Sequence, residues 1–164
     1  MINLFLTVVL LLTPLTSILN IPKWPSFKGA YFEVKYPPGF KARKSLPSNS
    51  FEGQHDSAFF TAPNGSVEFY VFAPLWNGTP DDIERDPGLE EIVSENVEHK
   101  GSIKTRRVTL KARDNAYIRS FEDTENTETN NRRVFGIKYR NVAAYNKHRQ
   151  DYLRFKNSLK QFAD

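Results

Sequence analysis

The stretch Arg133-Val134-Phe135-Gly136-Ile137-Lys138-Tyr139-Arg140, continued from Asn141 to Phe162, decides the fold. Phe135, Ile137 and Tyr139 recur at every second position, which places them on one face of a strand. After Asn141 the period changes. Tyr145, His148, Tyr152, Phe155, Leu159 and Phe162 return at alternating intervals of three and four, which predicts one apolar stripe along a helix. Lys147, Arg149, Lys156 and Lys160 are expected to point away from that stripe. Such a helix needs a sheet to cover, so the class is α+β: an antiparallel β-sheet covered by helices, with the C-terminal amphipathic helix packed on it.

Upstream, Ala30 to Tyr36 alternates as a strand and is stopped by Pro37-Pro38-Gly39, whereas Ile21 to Pro25 carries two prolines and reads as an extended lead-in. Lys41 to Gln54 has no period and is expected to be a loop. Ser57 to Ala62 and Val67 to Phe72 flank Pro63-Asn64-Gly65-Ser66, and Asn-Gly between two aromatic-rich runs is a strong hairpin signal. Thr79-Pro80-Asp81-Asp82 predicts a short helix with Thr79 as N-cap and Pro80 in the first turn. Leu89 to Glu98 fits a helix or an edge strand, and Lys100-Gly101, a turn into the next run, favours the strand. Ile103 to Ala112 and Ala116 to Phe121 continue the sheet, and Asp123 to Asn131 is expected to be a polar loop.

The composition bounds the chemistry. A chain of 164 residues with 39% hydrophobic residues holds one ordinary core and thus one domain. Cysteine is absent, which removes disulfides, thiolate metal sites and a cysteine nucleophile. Met1 to Leu12 is an uncharged apolar run followed by Pro14 and small residues, the pattern of a secretory signal peptide cleaved after Ser17 or near Asn20. The run is shorter than the roughly 20 residues of a membrane span. Residues 1–20 are therefore expected to be a signal peptide and residues 21–164 a single exported domain, periplasmic or secreted, with no integral span after cleavage.

The runs YFEVKYPPGF, VEFYVFAP, YIRSF and VFGIKYRNVAAYNKHRQDYLRFKNSLKQF together resemble the PsbP-like group. These are exported domains named for an extrinsic subunit of photosystem II, and they share a fold with a Ran-binding nuclear import factor. The resemblance covers nearly all of the mature chain. It implies an α/β/α sandwich and a non-enzymatic role in docking on a larger assembly or assisting one. The photosynthetic member's N-terminal docking segment is not carried over, because Ile21 to Lys28 holds only Lys23 and Lys28 as bases.

Site chemistry is sparse in the sequence. His55, His99 and His148 have no metal-ligand spacing, so no metal or cofactor is expected, and His55 with Asp56 is a weak candidate for a metal ligand or a hydrolase base. His148 falls on the apolar stripe and reads as a core residue. Glycine loops that cradle phosphate and nucleophile elbows are absent. The paired acids Asp81-Asp82 and Glu90-Glu91 read as a solvated face.

Charge is more informative than motif. The formal net charge is +4, but residues 81–98 hold eight acids against Arg85 alone, and residues 132–160 hold nine bases against Asp151 alone. Either the two blocks neutralise each other in space or one of them docks on a charged partner. The leading expectation is a monomeric, non-enzymatic binding or assembly-assisting module. Its basic patch comprises Arg132, Arg133, Arg140, Lys147, Arg149 and Lys156, and it faces an acidic protein or envelope surface. Nucleic acid is disfavoured because the helix's aromatics are consumed by its apolar stripe. The alternatives are a small-ligand carrier with a pocket between sheet and helix, near Trp76, Tyr117 and Tyr139, and a hydrolase built on His55 and Asp56.

Overall fold

Turn residues set the topology. Gly65 and Gly101 adopt φ of +65° and +58°, a backbone region in which side chains are strained, and each closes a hairpin. A computed structural model describes residues 22–76 and 78–162, so the signal peptide expected over residues 1–20 lies outside the described residues. The strands are β1 (Ser26–Lys28), β2 (Phe32–Lys35), β3 (Lys41–Lys44), β4 (Ser57–Thr61), β5 (Val67–Phe72), β6 (Glu90–Lys100), β7 (Ile103–Ala112), β8 (Ile118–Asn126), β9 (Asn131–Tyr139) and β10 (Lys160–Gln161). Among the described residues a single α-helix, α1 (Val142–Asn157), links β9 to β10. The main sheet is antiparallel with seven strands in the order β3-β4-β5-β9-β8-β7-β6, and β1-β2-β10 form a smaller sheet.

The helix lies over β5 and β9 because its stripe needs their aromatic face. Phe155 has no exposed surface, and its ring sits 5.2 Å from Phe60, 5.3 Å from Phe69 and 5.9 Å from Phe135. Burying one such ring contributes about 1.5–3 kcal/mol. The Asn141 side chain accepts from the Ala144 amide at 2.9 Å and fixes where α1 begins.

The structure corrects the sequence reading at several points. The helix stops at Asn157, so Leu159 and Phe162 lie outside it. The Ser158 hydroxyl accepts from the Lys35 amide at 2.9 Å, and the chain then pairs with the free edge of β2 as β10. Among the described residues there is one α-helix, on one face. The layered sandwich with helices as cover is therefore not found, and a loop strap over residues 79–89 crosses the opposite face instead. The helix expected there is a single 3₁₀ turn, Asp81–Ile83, with no side-chain cap. Asp82 is drawn into the sheet rather than its own turn, and Pro87-Gly88 blocks extension. β3 lies inside the expected 41–54 loop. β8 runs on to Asn126, because each of its polar residues has a backbone partner on both β7 and β9.

Candidate binding surface

The helix-free face of the main sheet is organised around the strap. Asp82 anchors it: Ser57 Oγ donates to Oδ2 at 2.6 Å and Tyr70 Oη donates to Oδ1 at 2.7 Å. Burial, reinforced by the Asp82 carboxylate, holds the Tyr70 phenol far above its ordinary pKa, so it stays a donor. At the strap's far end Glu90 is 2% exposed and takes a bidentate fork from Arg119, at 2.6 Å to each oxygen, plus the Tyr117 hydroxyl at 2.9 Å. Burial pushes the Glu90 carboxyl up, but the Arg119 fork and the phenol outweigh it and hold the group below its ordinary value. Arg119 also donates to the Glu84 carbonyl, tying strap to sheet.

Clefts open on both sides of this strap. One, of about 330 Å³, is polar and presents Arg43, Glu68 and Lys138 beside the Glu90–Arg119 pair. The other, of about 450 Å³, has a floor of Val108, Leu110, Phe121 and Val134 and a rim that includes Arg85, Arg106 and Arg132. On the helix side, a third cleft of about 340 Å³ opens beyond Tyr152, lined in part by Thr109, Ser120, Tyr139 and Tyr145.

The residues expected to form one basic patch are dispersed. Arg132 pairs with Asp123 at 2.7 Å. Lys156, expected to point outward, is half-buried and donates to Glu122 at 2.7 Å, with its ammonium over the rings of Phe135 and Tyr152. Arg133, Arg140, Lys147 and Arg149 are exposed, with no ion pair among the described residues. The acidic and basic blocks do not neutralise each other by direct pairing. Glu90, Glu95 and Glu98 pair with Arg119, Arg106 and Arg107 of β8 and β7.

Of the three aromatics of the expected pocket, Tyr117 and Tyr139 line one cleft of about 400 Å³ with Lys138 and Arg140, and Trp76 stands apart from it. Trp76 is 58% exposed beyond β5, Tyr117 also belongs to the Glu90 cluster, and the Tyr139 ring lies tilted 5.1 Å from that of Tyr145 on α1. Beneath Phe155 the sheet–helix contact is filled by rings. His148 lies 5.6 Å from Phe40 and 3.3 Å from Asp151, a partner-satisfied position at the core margin. His55 and Asp56 line none of the four clefts. His55 Nδ1 is buried without a hydrogen-bond partner, and burial pushes the Asp56 carboxyl up against the opposing pull of Ser48 and His55 beside it. Among the described residues no three His, Asp or Glu side chains gather to hold a metal ion, and no helix is long and apolar enough to cross a membrane. The Glu90–Arg119–Tyr117 cluster was missed because Glu90 looks like one more acid beside Glu91. Only the strand register across β7 and β8 brings its partners to it.

No family model and no curated protein matches the sequence. The backbone is similar to the solution structure of cyanobacterial PsbP (CyanoP) from Synechocystis sp. PCC 6803, with a TM-score of 0.51 and 9% identity over 92% of this chain and 99% of that one. The fold is PsbP-like. A mutant of the protein Mog1 aligns at a TM-score of 0.41 and 11% identity, covering 85% of this chain and 95% of that one. The Ran-binding protein Mog1p of Saccharomyces cerevisiae aligns at 0.40 and 10%, covering 85% and 96%. On this PsbP-like fold the strap and the long outer strand β6 supply the surfaces that α1 leaves uncovered.

Proposed function

We propose that the protein is an exported, non-enzymatic module that binds or helps assemble a larger partner, docking through the cations on and beside α1. The observation that carries this reading is the separation of charge. The acids of residues 81–98 that form ion pairs do so with β7 and β8, whereas Arg133, Arg140, Lys147 and Arg149 stay exposed and unpaired. Arg140 and the two helical residues stand at or on α1, while Arg133 lies toward the opposite end of β9. The recognised surface is therefore smaller than the six residues the sequence suggested, and its partner is an acidic protein or an acidic envelope surface. His55 and Asp56, the pair on which hydrolysis would rest, line none of the four clefts, and His55 Nδ1 and Asp56 Oδ1 are buried, which weighs against hydrolysis.

The test is native mass spectrometry of the protein from its own cell envelope. At low salt a mass beyond any multiple of the bare chain is expected, lost at high salt and lost when Arg140, Lys147 and Arg149 are each changed to Glu. If the chain is recovered without added mass at low salt, the docking reading fails. A carrier role is favoured by the apolar floor of the 450 Å³ cleft, on the face opposite the one the sequence suggested, and by the helix-side cleft of about 340 Å³ lined by Tyr139, Tyr145 and Tyr152. Retention of a bound small molecule that Leu110→Arg removes would support it.

A further inference from the structure

Among the described residues β6 pairs with β7 alone, and its outer edge is open. Ten of its eleven residues are exposed, and the apolar Ile92, Val93 and Val97 are 45%, 57% and 45% exposed. Soluble proteins blunt such an edge with bulges, charge or cover, since unpaired backbone groups invite another strand. In β6 the register shift at Val93 disturbs only the first part, and Ser94 to Lys100 pairs regularly with β7. In that run Glu95, Val97 and His99 share the helix-free face, while Ser94, Asn96, Glu98 and Lys100 share the other.

We propose that this run pairs with the same run of a second copy, antiparallel and centred on Val97, joining two main sheets edge to edge about a two-fold axis. About Val97 the opposed residues are Ser94 with Lys100, Glu95 with His99, Asn96 with Glu98, and Val97 with itself. Every pair joins residues of the same face, and none opposes like charges, which would destabilise the ladder. Centring on Glu95 or Glu98 sets an acid against its own copy. Centring on Asn96 runs the pairing into the bulge after two residues on either side. The acids of this run also fail to form a free strip for a basic peptide, because Glu95 already holds Arg106 at 2.7 Å and Glu98 holds Arg107 at 3.0 Å. The edge is thus close to neutral and complementary to itself. The dimer replaces the monomer expected from sequence, and it is independent of the cations beside α1.

The chain has no cysteine, so Val97→Cys provides its sole thiol. Directly opposed antiparallel residues stand about 4.5–5.5 Å apart at Cα, within the roughly 4.4–6.8 Å span of a disulfide, whereas diagonal neighbours stand about 7–8 Å apart. In the full chain, mild oxidation should convert Val97→Cys to a covalent dimer and leave Asn96→Cys and Glu98→Cys largely uncross-linked. Sedimentation of the unmodified chain should give twice the chain mass. Val97→Lys should weaken that dimer by about tenfold or more, with circular dichroism and melting confirming that the variant folds. A unmodified chain that sediments as a monomer throughout overturns the proposal, as does equal cross-linking at all three positions.

Discussion

Gly136 sits where the rings of Phe121 and Tyr70 converge on the helix-free face. A Cβ there would stand 2.5 Å from the Phe121 ring and 3.1 Å from Tyr70 Cβ. Gly136→Ala should therefore push Phe121 off the sheet and cost about 1–3 kcal/mol, read as a lower denaturation midpoint with the same slope. Glu90 makes a second prediction at this scale. Its folded pKa lies below the ordinary carboxylate value, so it contributes stability that is present above the unfolded pKa of about 4.5 and lost as pH falls through the lower folded value. Glu90→Gln should accordingly flatten the acid limb of the stability curve below about pH 4.5. An unchanged limb would mean that the fork from Arg119 contributes no pH-dependent stability. Removing only Arg119, by Arg119→Ala, leaves a buried charge unpaired and should cost about 3–5 kcal/mol in chemical denaturation.

At the scale of elements, one cap and one fully buried ring test most directly how α1 is held on the sheet. Asn141→Ala removes the acceptor for the Ala144 amide and should cost about 1 kcal/mol, while Phe155→Asp should prevent folding by burying an unpaired charge among Phe60, Phe69 and Phe135. A Phe155→Asp protein that melts within a few degrees of the parent would show that this helix does not cover the sheet. The strand-to-helix switch at Asn141 was legible because both faces it buries are periodic in sequence. Where α1 ends was not legible, since Leu159 and Phe162 keep the helical spacing while Ser158 and the free edge of β2 draw the chain into a strand. The second half of β8 was hidden for a related reason. Asp123 to Asn126 is polar throughout, and its strand conformation comes from partners on both sides rather than from an apolar face. Long-range pairing of this kind leaves no local signal, and the site at Glu90 was illegible for the same cause.

For the whole molecule, burial falls steeply across the sheet, and that gradient should appear in its dynamics. β5 and β9 are central, carry buried residues on both faces and lie beneath α1; β6 has one strand partner and an almost entirely exposed set of side chains. One ion-pair chain crosses this gradient, from Glu98 through Arg107 and Glu122 to Lys156 on α1, but its outer members are exposed and screened by salt. Regular backbone pairing therefore dominates what keeps the β6–β8 half in place. Amide exchange should be slowest in β5 and β9, opening only with global unfolding, and fastest in β6, where local fraying suffices. The same measurement ties this gradient to the edge pairing. A second copy seated on Ser94 to Lys100 covers the open amides of β6, so their protection should rise with protein concentration while that of β5 and β9 stays constant. Protection in β6 that is independent of concentration, or as high as in β9 at dilution, would mean that the outer strand is stabilised within one chain and that its open edge needs no partner.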